Sequence, residues 1–297
     1  MKNFAMIGVG GYIAPRHLEA IKESGHNLIA AYDPNDSVGI MDRYFPNCRF
    51  FTDFERFESF LEAQKAEGVN TEYVSICTPN YMHASHIKFA LRFGAHAICE
   101  KPLVLYESDI DELVALEKKT GKKVFTVLQL RVHDAIIALK KKVQAQNKEK
   151  FDIDLLYMTS RGHWYHESWK GDSKKSGGLS TNIGVHFFDM LTWIFGGVKN
   201  LKMEIKSETV EKGFVELEKA NVNWYLTVDK NNLPSDALKA GKSTYRSIRI
   251  DGEEFEFSEG FTELHKRVYA DILCGKGYGA EDARQAIRIV EKIRGNE

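Results

Sequence analysis

Phe4-Ala5-Met6-Ile7-Gly8-Val9-Gly10-Gly11-Tyr12-Ile13-Ala14-Pro15 carries an unbroken apolar run into a glycine-rich turn and on to a proline of the kind that opens helices. The run reads as a buried strand, and Pro15 suits the first turn of a helix that Gly25 can close. Strand, glycine turn and helix in that order put backbone amides at a helix N-terminus, where a pyrophosphate can approach closely and its charge is stabilised. Ile13 stands where the third glycine of such turns usually falls, which predicts either a turn one residue longer or looser packing of helix on strand.

The same rhythm repeats downstream. Apolar runs at residues 4–9, 28–32, 73–77, 95–99 and 124–130 read as strands, with amphipathic segments between them such as Phe54, Phe57, Phe60 and Leu61 behind the capping Asp53. Strand and helix in alternation predict an α/β chain whose first domain, residues 1–130, is a doubly wound parallel sheet of the Rossmann kind. After about residue 130 the pattern changes. A helix at 134–146 and a strand at 154–159 precede a polar, aromatic loop at 161–178 and a helix at 179–195. Half-buried alternating segments follow at 201–205, 222–228, 247–250 and 254–257, and helices at 262–273 and 280–293 close the chain. Residues 131–297 are therefore expected to form an α+β domain on a largely antiparallel, open-faced sheet, with one face free to pack on another subunit.

Composition narrows the function. With 297 residues, 43% hydrophobic and 28% charged, the chain can build two ordinary cores. Its 41 basic and 42 acidic residues leave a net charge of −1, so no global field favours nucleic acid and an anionic ligand must be met by a local cluster. Cys48, Cys77, Cys99 and Cys274 lie far apart, two of them in apolar runs, which suits buried thiols in a reducing cytosol better than a disulfide frame or a zinc site. Three glycines interrupt the apolar stretch after Lys2, so it does not read as a signal peptide, and no apolar run approaches the roughly 18 to 20 residues that span a bilayer. The expectation is a cytoplasmic protein with no membrane segment.

Asp33 ends the second strand about where a carboxylate accepts both ribose hydroxyls of a dinucleotide, although an ordinary capping carboxylate could stand there too. It would repel a 2′-phosphate, and Pro34-Asn35-Asp36 supplies no cation, so NAD is favoured over NADP. The expected cofactor contacts are Gly8, Gly10, Gly11, Tyr12, Ile13 and Asp33, with Thr78 and Asn80 of Thr78-Pro79-Asn80 beside the nicotinamide ribose. His83 follows one turn into the next helix, where a solvated position is equally open to it. Glu100-Lys101-Pro102 closes the run 95–99 and adds Glu100 and Lys101. Proline holds Lys101 extended at a strand's carboxyl end, where open sheets bind ligands, while the plain alternative is a surface lysine in a loop.

The glycine turn, Asp33, Thr78-Pro79-Asn80-Tyr81-Met82-His83, Glu100-Lys101-Pro102 and Gly177-Gly178-Leu179-Ser180-Thr181-Asn182-Ile183-Gly184-Val185-His186 stand in the order seen in the Gfo/Idh/MocA oxidoreductases, which the chain resembles over both domains. Within that family, Gly11-Tyr12-Ile13-Ala14-Pro15-Arg16-His17-Leu18, Ser168-Trp169-Lys170-Gly171-Asp172 and Glu256-Phe257-Ser258-Glu259-Gly260-Phe261 are similar to the group of bacterial UDP-N-acetylglucosaminuronate 3-dehydrogenases of lipopolysaccharide O-antigen synthesis. The resemblance implies NAD-dependent oxidation of the sugar 3-hydroxyl to a ketone, a homotetramer, and in some members recycling of NADH by 2-oxoglutarate. Many family members carry aspartate where this chain has Asn182, so a carboxylate relay through that position is not available.

On the helix after Gly178, Asn182, His186 and Asp189 share one face. Imidazole titrates near neutrality unaided, so His186 is assigned as general base, with a core histidine beside Phe187 and Phe188 as the alternative. Lys101 would hydrogen-bond the same substrate oxygen, and Asn182 would orient the sugar. Arg131, Arg161, Tyr165, Ser168, Trp169 and Lys170 offer the cations, rings and hydroxyls that a nucleotide sugar needs, though the aromatics could equally form a packed lid. Lys140-Lys141-Lys142 reads as a solvated helix face. Three other readings are weighed: a dehydrogenase of another sugar or polyol, a zinc hydrolase using His163, His166 and His186, and a nucleotide sensor without turnover.

Overall fold

The computed structural model describes residues 1–36, 38–257, 261 and 263–295. Ser258-Glu259-Gly260 of the motif quoted above lies outside them. The chain divides into two units. One comprises Met1–Val104, Ser108–Gln129 and Thr262–Asp282; the other comprises Leu105–Glu107, Leu130–Phe261 and Ala283–Glu297.

In the first unit six parallel strands, β1 (Asn3–Ile7), β2 (Asn27–Tyr32), β3 (Arg49–Phe51), β4 (Tyr73–Ile76), β5 (His96–Cys99) and β6 (Val124–Thr126), form one sheet in the order β3-β2-β1-β4-β5-β6. Phe4, Ala5, Met6 and Ile7 are fully buried, as a central parallel strand covered on both faces requires. Ile7 pairs with Tyr32 and Ile76, and Ile76 with Cys99, so the ends of four strands line up at one edge. The strand order reverses between β1 and β4, and that edge is where such sheets bind nucleotides.

Two expectations change here. The run 124–130 pairs only through Thr126, and Gln129–Val132 winds into a 3-10 turn. The helix Leu264–Leu273 belongs with this unit rather than with the rest of 131–297, because Leu264, Val268, Tyr269 and Ile272 are buried on the side that meets the helix Ala14–Glu23. Lys266 adds ion pairs to Glu19 and Glu23 on that helix at 3.6 and 2.9 Å. The short β3, three residues opened by Arg49, was too brief to show as a run.

The second unit holds β7 (Phe151–Thr159), β8 (Val198–Lys206), β9 (Val210–Leu217), β10 (Ala220–Thr227), β11 (Thr244–Ile250) and β12 (Glu253–Glu254), in the order β12-β11-β7-β10-β9-β8. Every pairing is antiparallel except β10 with β7. Ile153, Leu155, Val222, Trp224 and Leu226 are buried on one face, where Phe188 of the helix Val185–Phe195 stands edge-on to Trp224 at 5.4 Å. Asp152, Asp154 and Asn223 are exposed on the other. β9 was not legible as a strand: its inward positions include Glu211 and Gly213, which break the apolar alternation. A Cβ on Gly213 would stand 2.8 Å from the Trp224 ring, so the missing side chain is the space the indole fills. Among the described residues no helix is long and apolar enough to cross a membrane.

Candidate functional site

The glycine turn is shaped by its neighbours on the sheet edge. Gly8 has φ +87°, and a Cβ there would lie 2.7 Å from the backbone of Cys77, so no other residue fits. The Gly8 amide donates to the Tyr32 carbonyl at 2.8 Å, and the Gly10 amide donates to Asp33 Oδ2 at 2.8 Å. Asp33 Oδ1 accepts from the Asn35 amide at 3.0 Å and from its side chain at 3.1 Å. Asp33 therefore braces two turns, and Oδ2, which accepts only the Gly10 amide among the described residues, retains a lone pair for a ribose hydroxyl. No lysine or arginine lies among residues 34–36. Ile13 is half-buried at the N-cap, and the fully buried Ala14 opens the helix. Tyr12 is exposed. A tight positive-φ turn feeding a helix N-terminus beside a carboxylate that, among the described residues, accepts from amides fits a dinucleotide without a 2′-phosphate.

At the end of β4, Thr78 and Asn80 are buried, and Thr78 Oγ1 lies 3.1 Å from His86 Nδ1. His83 is not solvated: its ring lies between the Pro102 carbonyl, 2.7 Å from Nδ1, and the Thr78 carbonyl, 2.8 Å from Nε2. Burial lowers its pKa against the pull of those carbonyls. His83 is thus a strut between the β4 and β5 loops.

Glu100 turns its carboxylate inward. Oε1 accepts from His17 Nε2 at 2.9 Å and from His265 Nε2 at 2.8 Å, and Oε2 accepts from the Lys101 amide at 3.1 Å. Burial alone would raise its pKa, but the two imidazoles hold it well below the usual carboxylate range. His17 Nδ1 meets the Tyr269 hydroxyl at 2.8 Å, which meets Ser75 Oγ at 2.7 Å. Lys101 is half-buried and its peptide bond to Pro102 is cis. Any cofactor contact from Glu100 must come from its backbone.

In the second unit the expected continuous helix 179–195 begins instead as a π-helical turn, Ser180–Gly184, before Val185–Phe195. Between residues 179 and 192 every residue is buried except Asn182 and His186, which are half-buried. His186 is therefore not a core histidine, although its ring meets Phe187 edge-on at 5.3 Å. Asn182 Nδ2 donates to the Tyr165 hydroxyl at 2.8 Å. The turn is held from β9: Glu211 Oε2 accepts the Ser180 amide at 2.9 Å and also its hydroxyl. Desolvation raises the Glu211 pKa because its donors are neutral.

Asp189 is buried and engaged by Arg131, through Nε at 3.0 Å and Nη2 at 2.7 Å. The Arg131 guanidinium, 6% exposed, thus braces the helix that carries His186. In the loop, His163–Glu167 and Ser173–Ser176 form short helices. Ser168 is spent on the turn, donating to the Tyr165 carbonyl at 3.0 Å and accepting from the Lys170 amide at 3.3 Å. Lys170 Nζ lies 5.0 Å from the Trp164 ring and 5.3 Å from that of Trp169, and burial followed by Arg161 lowers its pKa. Arg161 is exposed and Trp169 half-buried. Lys140 is not simply solvated, since its Nζ stands 3.7 Å from the Trp193 ring.

Among the described residues, the histidines and carboxylates whose ligand atoms gather within 4.8 Å are His17, Glu100 and His265, not His163, His166 and His186. Nothing supports the zinc hydrolase. Sequence reasoning missed Glu211, His17, His265 and Tyr269.

Family models and solved structures agree with this geometry. The Gfo/Idh/MocA model described as an oxidoreductase family with an NAD-binding Rossmann fold matches residues 2–128, and the family's C-terminal alpha/beta domain matches residues 149–253. The WlbA (WbpB) dehydrogenase from Thermus thermophilus, solved with NAD and UDP-GlcNAcA, is 48% identical, with a TM-score of 0.96 over 100% of this chain and 96% of that one. In its complex with NAD and alpha-ketoglutarate the figures are 49% and 0.97, over 100% and 96%. Among curated proteins, the 2,7-anhydro-N-acetylneuraminate hydratase of Mediterraneibacter gnavus is 25% identical over 66% of this chain, which spans 50% of the hydratase's length. The glucose-6-phosphate 3-dehydrogenase of Bacillus subtilis is 22% identical over 98% of this chain and 72% of its own.

Proposed function

The chain belongs to the Gfo/Idh/MocA oxidoreductase family, and from that premise we propose that it is an NAD-dependent dehydrogenase oxidising the 3-hydroxyl of a UDP-N-acetylglucosaminuronate-type nucleotide sugar to the 3-keto sugar, in the making of a lipopolysaccharide O-antigen precursor. The observation that carries the reading is the pair Asn182 and His186, the two half-buried side chains of an otherwise buried stretch, in a chain 48% identical along its whole length to a dehydrogenase seen with NAD and UDP-GlcNAcA.

NAD, when bound, supplies the hydride acceptor. The Gly8 to Ile13 turn faces its pyrophosphate, Asp33 accepts its ribose hydroxyls, and Thr78 and Asn80 border the nicotinamide ribose. His186 takes the proton of the sugar 3-hydroxyl, which imidazole does near neutral pH without help. The Lys101 ammonium hydrogen-bonds the same oxygen and steadies the charge that develops there. Asn182, fixed by Tyr165, orients the sugar. Arg161 and Lys170 meet the diphosphate or the uronate, and Trp169 offers a ring to the sugar or the uracil.

The exposed face of the second sheet is the surface for a homotetramer, 2-oxoglutarate is the acceptor that returns NADH to NAD, and the protein works in the cytoplasm. Small molecules released from the denatured protein are expected to include NAD. Adding UDP-N-acetylglucosaminuronate should raise the NADH absorbance band and yield a product two hydrogens lighter. An unchanged spectrum without 2-oxoglutarate, together with no lighter product when 2-oxoglutarate is added, overturns the reading, and a monomer on sizing chromatography overturns the assembly.

A further inference from the structure

We propose that Ser75, Tyr269, His17, Glu100 and His265 form a directed hydrogen-bond relay that positions Lys101, so that His17, Tyr269 and His265 are positioning residues for the reaction. This rests on the reading of Lys101 as the group that meets the substrate oxygen. The members come from four separate places: Ser75 from β4, Glu100 from the end of β5, His17 from the helix after the glycine turn, and His265 and Tyr269 from the returning helix Leu264–Leu273. All five are buried.

The direction of every bond follows from chemistry. An ionised Glu100 can only accept, so both imidazoles donate to Oε1 through Nε2. His17, whose pKa burial lowers despite the bond to Glu100, keeps one ring proton, on Nε2. Its Nδ1 then accepts from the Tyr269 hydroxyl, and the Tyr269 oxygen accepts from Ser75. The group is a network and not a metal site. Ligands about 2.1 Å from a tetrahedral zinc stand about 3.4 Å apart, whereas both imidazole nitrogens stand 2.8 and 2.9 Å from the same carboxylate oxygen.

A buried carboxylate with two imidazoles adds little net stability over an apolar filling of the same volume. What it does add is geometry. Oε2 of Glu100 accepts the Lys101 amide, and the Pro102 carbonyl on the other side packs 2.7 Å from Nδ1 of the buried His83 ring. The backbone on both sides of the lysine side chain is thus pinned by buried groups. A displacement of about 1 Å in a group that meets a reacting atom can lower a rate by about 100-fold.

The test is His265→Leu in the full-length protein, with His265→Gln, whose amide can donate from nearly the same place, as the rescue. His265→Leu is expected to lower kcat on the order of 30-fold, to leave NAD affinity and the KM for the UDP-sugar within about twofold, and to speed hydrogen exchange of the Lys101 amide about tenfold or more. His265→Gln recovers most of both. Should His265→Leu fold poorly, Tyr269→Phe removes the hydroxyl that donates to His17 and accepts from Ser75, and is expected to show the same split at about five- to tenfold. Unchanged exchange at Lys101, or a kcat equal to that of the unaltered protein, overturns the relay. If the unaltered protein oxidises no UDP-sugar, the proposed function fails by itself, and the Lys101 exchange still decides the relay.

Discussion

The strand end that carries Lys101 and the π-helical turn that carries Asn182 and leads into the helix of His186 are each held by one buried glutamate, yet the two glutamates sit in opposite electrostatic settings. Glu100 is bound by two imidazoles and is held well below the usual carboxylate range. Glu211 is bound by an amide and a hydroxyl, both neutral, and desolvation raises it. The comparison teaches that a buried carboxylate can anchor a functional segment with its pKa moved in either direction, and that the donors around it select which. Where two imidazoles donate, their pull outweighs desolvation; where the donors are an amide and a hydroxyl, desolvation wins.

The most damaging changes should be those at the side chains the two anchors present. Lys101→Ala and His186→Ala are each expected to lower turnover by about 100- to 10,000-fold while NAD titration and thermal unfolding stay near normal; near-normal rates in either would remove that residue from the chemistry. Next come the anchors themselves. Glu100→Gln leaves a donor facing a donor among His17, His265 and the Lys101 amide, and should cost about 3 kcal/mol in denaturant unfolding. Glu211→Gln keeps an acceptor for Ser180 and should cost less than about 1 kcal/mol at neutral pH. Equal costs would erase the contrast.

Acidification sharpens it further. His86 is lowered to about 4, first by burial and then by His83, and burial lowers His17 and His83 as well. In the unfolded chain these rings bind protons near pH 6.5 while the folded chain refuses them, so stability falls as pH drops from about 6.5 toward 4, by about 3 kcal/mol for His86 alone. Glu100, lowered, loses its contribution as pH falls through its folded value; Glu211, raised, contributes below about pH 4.5 and loses its contribution as pH rises through its folded value. Urea melts across that range should show the first unit failing on the acid side, and His86→Gln should flatten the slope. The smallest expected effect is at the cofactor. Asp33→Ala should weaken NAD about tenfold and relax the preference against NADP, and an unchanged preference would leave Asp33 as a brace for the turns alone.

Much of the first unit could be read in advance. Gly8, Asp33, Thr78 and Lys101 follow strands whose apolar runs announce themselves, and a parallel sheet aligns those ends at one edge. The second unit was harder. β9 was hidden because Glu211 and Gly213 occupy its inward positions, and the bond of Arg131 to Asp189 was hidden because nothing near Arg131 in sequence shows a residue 58 positions on.

Sequence alone determined what depends on neighbours a few residues apart: the alternation of strand and helix, the glycine turn, and the acidic strand end that favours NAD. Those follow from backbone sterics and from periods of two and 3.6 residues, which a short window contains. Tertiary structure decided what depends on distant residues meeting: that the helix Leu264–Leu273 returns to the first unit, that Glu100 joins His17 across 83 residues and His265 across 165, and that Ser180 is held by Glu211 across 31. A buried charge finds its partners by closing long loops around a core, and no local period records which residues those loops bring together.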